Sequence, residues 1–556
     1  MFWHEGAQLR ETFRVLSVFL FSVFIVIVFF GLAYYVVLEI SGTPQSLVDC
    51  CYFVWITFAT IGYGDTGFTG TAFIRIFTIL VSAILVMRFI ILGAHVYARV
   101  VVEEVYNLGI VKRMKKALEA AQGHFLIFGD DRELINKIIE GLLEKGEVFL
   151  VSEDKEMLQE FKRQYVEMKY IVAKPTSVET IDQLRPEMAR CAYLLFREDE
   201  KNILLAALLE KRVRVISSFS GDFNSTPRFK KVGVIPISPH FSGGLKIVST
   251  MIRPQVTEFL DNFLFPETAP LEFKSVPYEE TENAWQYAIL ATNKDGEMVF
   301  GQAGAPGDDV VVIGFKDPAS ASKKLGQLKG QDLPLAHDRF LVIGGGMIGS
   351  TVVAELQATW REVLVIESDE QKIENMRIRY GDDYVEYLAG DALSGNIDID
   401  RFDGVAICTP VDEKNFTIGL DYVGHRIIRV VRAVDEDMEF HYRRIGAVPV
   451  FVGRVGSARM LREVTNQFAN EVLRLMLMQH YRLDQVYLNQ LCTLGELKAE
   501  FDVRSIAVCR AGAVYFGPQD GEKLEAGDTL IFCGSVETNK KLRMKHLVGG
   551  ESEGQA

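Results

Sequence analysis

A run of 24 residues without a charged side chain, from Val15 to Leu38, limits what this chain can fold into. At about 1.5 Å of rise per residue, a helix of that length spans a hydrocarbon core of roughly 30 Å. The apolar part of a signal peptide is shorter and leads to a small-residue cleavage site, and neither property fits this run. The sequence therefore predicts a membrane-spanning helix near the N-terminus.

A second apolar run extends from Ile76 to Tyr97 and is interrupted only by Arg88. Residues 39–74 contain no lysine or arginine, whereas basic residues precede the first run and follow the second. By the positive-inside rule, both termini then lie in the cytoplasm and the short intervening segment lies outside. We expect a multi-pass protein of the inner (plasma) membrane with a large cytoplasmic body.

The charge of the chain is distributed unevenly. Residues 1–116 carry nine Lys and Arg against seven Asp and Glu, whereas the remaining residues carry 51 against 67. An acidic body of this kind argues against nucleic acid as a partner, because nucleic-acid-binding surfaces are basic. The seven cysteines include no Cys-x-x-Cys pair, so neither a zinc site nor a disulfide framework is indicated.

The segment between the two apolar runs contains one glycine-rich hexapeptide, Thr60-Ile61-Gly62-Tyr63-Gly64-Asp65. It resembles the potassium-channel selectivity filter, TVGYGD, with isoleucine in the place of valine. Consecutive carbonyls must point at one axis to replace the water around K⁺, and glycines permit the backbone angles that this requires. Residues 44–59 predict a pore helix with Pro44 in its first turn. One loop supplies a quarter of a filter, so the resemblance implies a homotetramer in the lipid bilayer.

Three residues of the second run are candidates for a gate: Arg88, Leu92 and Gly93. A cation within a membrane helix suggests a function by default. Arg88 either serves the pore or gate, or is structural and pairs with a neighbouring subunit. Two-span channels often have a hinge glycine about 21 residues after the filter tyrosine, but Ile84 occupies that position here.

The cytoplasmic body contains a pattern that occurs twice. The stretches from His124 and from Asp338 each read as an apolar strand, a tight turn, an amphipathic helix and a second apolar strand that ends in acidic residues. This is the pattern of a βαβ unit in a parallel sheet. A second pair of matches, around Gly307 and Gly527, keeps nearly the same period and predicts a smaller β-rich lobe in each repeat.

Each repeat resembles an RCK (regulator of K⁺ conductance) domain, also called the KTN/TrkA type. A filter followed by two such domains is the arrangement of prokaryotic two-transmembrane potassium channels of the multi-ligand-gated kind. The implied fold is a membrane α-helical pore, with two transmembrane helices plus pore helix and filter, joined to α/β Rossmann-like RCK domains with smaller β-rich C-terminal lobes. The implied domains are a transmembrane pore at 1–100, a connector at 101–121, a first RCK N-lobe at 122–270 and C-lobe at 271–332, a second N-lobe at 337–480 and C-lobe at 481–546, and a flexible tail at 547–556.

The second repeat carries a complete GxGxxG motif between its first strand and helix. Gly344 permits the turn, Gly346 lets a pyrophosphate approach, and Gly349 lets the helix pack on the strand. Glu367 ends the next strand, where a carboxylate binds the ribose hydroxyls and disfavours a 2′-phosphate. The remaining candidates lie within the motif or match stretches that line the nucleotide cleft in the family: Met347, Ile348, Asp391, Cys408 and Thr409. We expect NAD or ADP to bind here.

The first repeat departs from this motif. Asp130 and Asp131 stand where the second repeat has glycines, and such carboxylates repel a pyrophosphate. Ser152 replaces the strand-ending glutamate and Pro175 replaces Asp391. We therefore expect no nucleotide in the first repeat. The carboxylates by which some RCK channels bind Ca²⁺ are missing at the corresponding strand ends, so a Ca²⁺ site elsewhere remains open.

These features predict a tetrameric, K⁺-selective channel that intracellular nucleotide, with or without a divalent cation, gates through a ring of RCK domains. We do not expect an enzyme. Two alternatives are a membrane-anchored NAD-dependent oxidoreductase and a subunit of a potassium-uptake transporter. The first requires an acid–base group beside the nicotinamide, and no convincing histidine or Lys–Tyr pair is found. The second carries several unequal pore loops in one chain, whereas this chain has one.

Overall fold

The computed structural model describes residues 2–59, 61, 72–97, 116–221, 225–234, 236–266, 268–282, 284–294, 297–301, 304–328, 338–393 and 397–548. The chain divides into two compact units, Met1–Glu119 and Ala120–Ala556. Each unit is described by itself.

The first unit is helical in its described residues. Its helices are α1 (Phe2–Ile40), α2 (Leu47–Phe58) and α3 (Ala72–Tyr97). Helix α1 packs on α2 around a small core that contains Tyr34, Leu38, Cys50 and Val54. Both apolar runs of the sequence are therefore helical, as predicted.

The outward face of the first unit is apolar, with exposed side chains such as Phe21, Phe24 and Phe29 on α1. Within the described residues, one segment is both long and apolar enough to cross a membrane, Phe21–Ile40, with a mean hydropathy of 2.6. A helix that exposes large apolar side chains on this scale is suited to lipid rather than water.

Helix α2 corresponds to the predicted pore helix, but it begins later than predicted. Its N-cap is Ser46, whose Oγ accepts a hydrogen bond from the Asp49 amide at 3.1 Å. The placement of Pro44 in the first turn was therefore wrong. A serine N-cap satisfies a free amide of the first turn, so it competes with proline in setting the start of a helix.

The filter and gate candidates lie mostly outside the described residues. Of the hexapeptide, only Ile61 is described, and its amide donates to the Ile56 carbonyl at 2.9 Å. Thr60 and the segment from Gly62 to Asp65 fall outside. The gate candidates Arg88, Leu92 and Gly93 belong to α3, but their side chains lie outside the described part of the chain.

The second unit contains two six-stranded parallel sheets of the same topology. The first has strands β1 (Phe125–Gly129), β2 (Val148–Ser152), β3 (Lys169–Val172), β4 (Cys191–Leu195), β5 (Ile216–Phe219) and β6 (Pro236–Ile237), in the order β3-β2-β1-β4-β5-β6. The second has strands β12 (Arg339–Ile343), β13 (Glu362–Glu367), β14 (Val385–Ala389), β15 (Gly404–Ile407), β16 (Ile428–Ala433) and β17 (Val448–Phe451), in the order β14-β13-β12-β15-β16-β17. This is the Rossmann order, which confirms the repeated βαβ pattern.

Helices connect the parallel strands and join the lobes. In the first repeat they are α4 (Arg132–Leu142), α5 (Lys155–Gln164), α6 (Val178–Gln183), α7 (Asp199–Leu209), α8 (Thr226–Lys231), α9 (Pro239–Ile252) and α10 (Pro254–Phe259). In the second they are α11 (Met347–Ala358), α12 (Glu370–Tyr380), α13 (Asp412–Asp421), α14 (Glu439–Arg444), α15 (Val452–Thr465) and α16 (Gln467–Met478), followed by α17 (Leu494–Phe501) and α18 (Val536–Val548) in the small lobe.

Two antiparallel sheets form the smaller lobes. One contains β7 (Leu271–Pro277), β8 (Tyr287–Lys294), β9 (Glu297–Phe300) and β10 (Asp309–Phe315), in the order β7-β10-β8-β9. The other contains β11 (Lys324–Gln327), β18 (Tyr481–Tyr487), β20 (Arg504–Arg510), β21 (Ala513–Phe516) and β23 (Thr529–Ser535), in the order β11-β21-β20-β23-β18. A separate two-stranded sheet pairs β19 (Cys492–Thr493) with β22 (Lys523–Leu524). The two larger sheets share one hydrophobic core.

Strand β11 differs from the sequence-based expectation. It falls within residues 271–332, which were assigned to the first small lobe, yet it pairs antiparallel with β21 of the second. Strand β11 pairs with backbone groups of β21 that would otherwise be left unpaired at the edge of the second sheet, and exposed groups of this kind are generally covered in native proteins. The chain therefore contributes a strand to the second lobe before it enters the second repeat.

The two repeats also exchange helices. Helix α9 of the first repeat packs on α11 and α15 of the second, and α15 packs on α4 of the first. Gly244 makes the first contact close, because a β-carbon there would lie 2.7 Å from the Thr351 side chain and 3.2 Å from the Ile348 carbonyl oxygen. Each exchanged helix ends at an equivalent break, with φ/ψ of −149°/60° at Arg253 and −145°/68° at Asn466. Helix α11 of the second repeat is therefore in direct contact with the first repeat.

Candidate functional site

The glycine motif forms a tight turn between β12 and α11. Gly344 has φ +98°, a conformation that favours glycine. A β-carbon at Gly349 would collide with the Gly344 carbonyl oxygen, so packing of helix on strand requires glycine there. Gly346 is different, because its φ of −67° suits any residue and its β-carbon position has no heavy atom within 4 Å. The conformation of the turn and the packing of the helix therefore require glycine at positions 344 and 349. Neither requires glycine at position 346, where the missing side chain leaves an open surface above the turn.

That open surface lies at the N-terminus of α11. Gly346 is the N-cap and has no side chain with which to satisfy the first amides of the helix. Amides in this position carry partial positive charge and suit an anion such as a phosphate group. The Ile348 side chain is buried in the core, so this residue offers a ligand its backbone only, whereas Met347 is 56% exposed.

The equivalent turn of the first repeat is filled by its own side chains. Asp131 is the N-cap of α4, and its Oδ1 accepts a hydrogen bond from the Leu134 amide at 3.2 Å. Asp130 Oδ1 accepts from the Arg197 amide at 3.0 Å. Because the protein's own carboxylates occupy the helix end and its surroundings, this turn is poorly suited to a second anion.

Glu367 ends β13 beside the glycine turn and is nearly buried, at 8% exposed. Its Oε2 accepts from the Gly345 amide at 2.6 Å, and its Oε1 accepts from the Asp369 amide at 3.0 Å. Burial raises the pKa of this carboxyl, but the hydrogen bonds from these two amides, together with the Lys372 ammonium and the Ser368 hydroxyl, hold the pKa below its ordinary value. The carboxylate therefore stays ionised and joins the turn to β13, while its remaining lone pairs can accept ribose hydroxyls.

We expect Glu367→Gln to reduce the stability that the second repeat gains from an ionised carboxylate. The depressed pKa of Glu367 contributes stability that is complete above the ordinary value of 4.5 and is lost as pH falls through the folded-state value. The thermal unfolding midpoint of Glu367→Gln should therefore fall furthest below that of wild type near neutral pH, and the difference should shrink as the pH falls through the folded-state pKa of Glu367. A difference that grows as the pH falls would contradict this assignment.

The other predicted site residues lie around the same edge of the second sheet. Asp391 is exposed, and its Oδ1 lies 3.1 Å from Lys414 Nζ, a hydrogen bond that lowers the pKa of Asp391. Cys408 is buried, and burial raises the pKa of its thiol to about 12, so it packs as an apolar residue. Its carbonyl carbon would lie 3.2 Å from a β-carbon at Gly344. Thr409 Oγ1 donates to Asn415 Oδ1 at 2.5 Å.

The sequence contains a signal at this edge that the motif analysis missed. The tetrapeptide Asp-Glu-Lys-Asn occurs at residues 199–202 and again at 412–415. Asn415 Nδ2 donates to the carbonyls of Thr409 and Arg432, both at 3.0 Å, and so holds the ends of β15 and β16 together. Asn202 Nδ2 binds the carbonyls of Phe196 and Phe219 in the same way. The repeated tetrapeptide therefore shapes the loop edge of both sheets. Its lysine pairs with Glu198 in the first repeat, as Lys201, and with Asp391 in the second, as Lys414.

No metal centre is evident at this edge. Within the described part of the chain, no group of three or more His, Cys, Asp or Glu side chains is placed to hold an ion. Ca²⁺ therefore stays a prediction without a described site.

Comparison with protein families separates the chain into a channel portion and two repeats. Residues 22–102 match the family described as "Ion channel". Residues 135–234 and 340–452 each match the family described as "TrkA-N domain". "Probable potassium channel protein 2" of Methanocaldococcus jannaschii is 24% identical over 259 residues, which are 45% of this chain and 71% of that protein.

Solved structures show similarity over most of the chain. The "GsuK channel bound to NAD" is 17% identical with a TM-score of 0.42, over 97% of this chain and 99% of its own. The human SLO3 gating ring is 12% identical with a TM-score of 0.56, over 74% of this chain and 99% of its own. The second similarity is one of fold.

Proposed function

This chain is an RCK-containing potassium channel, with an ion-channel domain followed by two TrkA-N domains, and we propose that four copies form one K⁺ pore regulated by a nucleotide in the second repeat. The pore lies in the membrane and the repeats lie in the cytoplasm. The lack of lysine and arginine between residues 39 and 74 supports this orientation.

The proposed pore rests on the hexapeptide Thr60–Asp65 and on helix α2 before it. Four copies place four sets of carbonyls around one axis, where they replace the hydration shell of K⁺. The C-terminal end of α2 directs a negative partial charge towards the ion. The gate is proposed to involve the part of α3 that contains Arg88, Leu92 and Gly93.

The proposed nucleotide site rests above all on Gly346, whose open surface lies at the uncapped N-terminus of α11. A pyrophosphate there accepts hydrogen bonds from the first amides of the helix. Glu367, one strand away, accepts the ribose hydroxyls and repels a 2′-phosphate, so NAD or ADP is favoured over NADP. Asp391, Cys408 and Thr409 border the same edge, where Asp391 and Lys414 form an ion pair.

The proposed coupling runs through α11 and α9. A ligand shifts a gate only by the difference in its affinity for the two states, typically about 1–3 kcal/mol. The nucleotide contacts the N-terminal turn of α11, and that helix packs against α9 of the first repeat at Gly244. Two arrangements of this contact, one favoured by the nucleotide, would change the first repeat, which continues through the connector to α3.

The proposal is tested by recording purified full-length protein in a planar bilayer. We expect K⁺ to carry far more current than Na⁺, and we expect NAD⁺ or ADP on the side of the repeats to change the open probability. Equal K⁺ and Na⁺ currents would refute the pore. A selective current that neither nucleotide alters would refute the nucleotide site but leave the pore intact.

A further inference from the structure

A cavity lies at the amino ends of the strands of the second parallel sheet, whereas the glycine turn lies at their carboxyl ends. It has a volume of about 110 Å³ and is bordered by residues 359–361 before β13, by the α9–α10 junction, by β18 and by α18. Elements of the first repeat, the second N-lobe and the second small lobe therefore meet around one space. None of the candidate site residues described above lies in this lining.

The lining of the cavity is strongly cationic. Five basic side chains border it: Arg253, Arg361, Arg482, Lys540 and Arg543. Three carboxylates lie among them or pair with them: Asp338, Glu355 and Asp484. When the ion-pair partners are counted with the lining, the positive charges exceed the negative charges by two.

The carboxylates are shared unevenly among the cations. Asp338 serves two guanidinium groups, with Arg361 Nε at 3.1 Å from Oδ1 and Arg543 Nη2 at 3.2 Å from Oδ2. Arg482 pairs with Glu355 at 2.5 Å. The Lys540 ammonium lies 4.2 Å from the centre of the Trp360 ring, and its contact is with this aromatic face. An excess of positive charge therefore faces the cavity from α18.

Burial makes this excess charge costly. Arg361 is 6% exposed, and burial together with the repulsion of Arg543 lowers the pKa of its guanidinium to about 10. Burial also lowers the pKa of Arg253. Buried charges require compensation by a partner of opposite sign. An anion in the cavity would supply that compensation.

The first repeat provides an internal comparison at three of the five basic positions, and none of its equivalent residues is cationic. Arg482 stands opposite Gly534 in the second small lobe, and Glu272 stands opposite Gly314 in the first. Val148 and Val363 are equivalent because they pair with the equivalent residues Phe125 and Phe340, so the residue equivalent to Arg361 is Gly146. At the two equivalent helix breaks, Arg253 corresponds to Asn466. The cationic lining is therefore particular to the second repeat and does not follow from the fold.

From these observations we propose that the cavity binds a small tetrahedral oxyanion of the phosphate type. Guanidinium groups match the geometry of phosphate, and a lysine adds a point charge. Sites for whole drug-sized ligands occupy about 300–1,000 Å³, so this cavity fits a phosphate group rather than a nucleotide. The bound anion would join α18 of the small lobe to the α9–α10 junction of the first repeat. This site is separate from the proposed nucleotide site and does not depend on it.

The test measures thermal unfolding of the full-length protein in detergent while phosphate replaces chloride at constant ionic strength. We expect a saturable rise of the unfolding midpoint in wild type. Lys540→Gln should weaken the apparent affinity about tenfold or more, and so should Arg543→Gln, since each removes a charged partner of the anion. Lys541→Gln is the matched control, because Lys541 is on the same helix but pairs with Glu537 at 2.9 Å.

Gly346→Asp separates this cavity from the glycine turn, where phosphate would also find helix amides. We expect the phosphate response to persist in Gly346→Asp. A response that disappears in Gly346→Asp but survives in Lys540→Gln and Arg543→Gln would place the phosphate at the glycine turn and overturn the proposal. The absence of a saturable response in wild type, or equal responses in all variants, would leave the basic residues as an internal ion-pair network and overturn it as well.

Discussion

Gly346→Asp is expected to abolish the effect of nucleotide on channel opening while leaving K⁺ selectivity unchanged. The β-carbon of residue 346 points into open space, so the substitution does not strain the turn. Its carboxylate instead occupies the N-terminus of α11 and repels the pyrophosphate. The first repeat has an aspartate at the equivalent N-cap, Asp131, and its carboxylate accepts a hydrogen bond from an amide of α4. We expect an aspartate at position 346 to bind an amide of α11 in the same way. Hydrogen bonds to charged groups contribute about 1.5–3 kcal/mol each, so losing two predicts at least about a 100-fold weaker affinity.

The measurement combines calorimetric titration of NAD⁺ and ADP with bilayer recording of the same preparation. Gly521→Ala is a suitable control, because Gly521 also has open space at its β-carbon position but lies in the small lobe. Persistence of the nucleotide response in Gly346→Asp would show that the nucleotide binds elsewhere. Loss of the response in both variants would indicate a general effect on the second repeat.

The repeated architecture was predictable from the sequence because its signals are local. In β1 and β12 nearly every residue is apolar, as expected for strands that are covered on both faces, and a turn and an amphipathic helix follow each. Once one such unit is recognised, right-handed crossovers leave little freedom in strand order. The contrast between Gly346 and Asp131 was also readable, since both residues occupy the N-cap of the equivalent helix.

The exchange of elements between repeats was not predictable, because it depends on contacts between distant residues. Nothing in the local sequence of Lys324–Gln327 indicates that it pairs with Ala513–Phe516 rather than with the sheet that it follows. The fit of α9 against α11 depends on Gly244 facing Thr351, and neither residue is unusual by itself. The cationic cavity was not predictable for the same reason, since Arg253, Arg361 and Arg543 are far apart in sequence and come together only in the folded protein.

The site residues that belong to a sequence motif were predictable, whereas those whose position depends on side-chain packing were not. The glycine turn and Glu367 followed from spacing, and the structure places the Glu367 carboxylate against the turn. Asn415, which holds the loop ends of β15 and β16 together, has no such motif in common use. Comparing the two halves of the chain for identical tetrapeptides would have identified it, because Asn202 has the same role in the first repeat.

Gly62→Asp is expected to remove the K⁺ current entirely while leaving nucleotide binding at its wild-type level. The first glycine of the filter-like hexapeptide is needed for backbone angles that align consecutive carbonyls on one axis. A β-carbon and a carboxylate at this position, repeated in each of four proposed subunits, block that alignment and trap cations in the permeation path. Because Met1–Glu119 and Ala120–Ala556 are separate compact units, the defect should stay within the first.

The decisive measurement is K⁺ flux into proteoliposomes, with NAD⁺ or ADP titrated against the same protein. Ile61→Val is the matched control, since it restores the residue found in the potassium-channel filter and should conduct normally. Light scattering of the detergent complex establishes that Gly62→Asp still assembles as wild type does. Residual K⁺-selective flux in an assembled Gly62→Asp protein would refute the filter assignment. Gly346→Asp should lose only the nucleotide response, and Gly62→Asp should lose only the K⁺ current. Comparing the two variants therefore separates ion conduction from its regulation by nucleotide. Each substitution removes one activity and spares the other only if the pore and the nucleotide site lie where they are proposed.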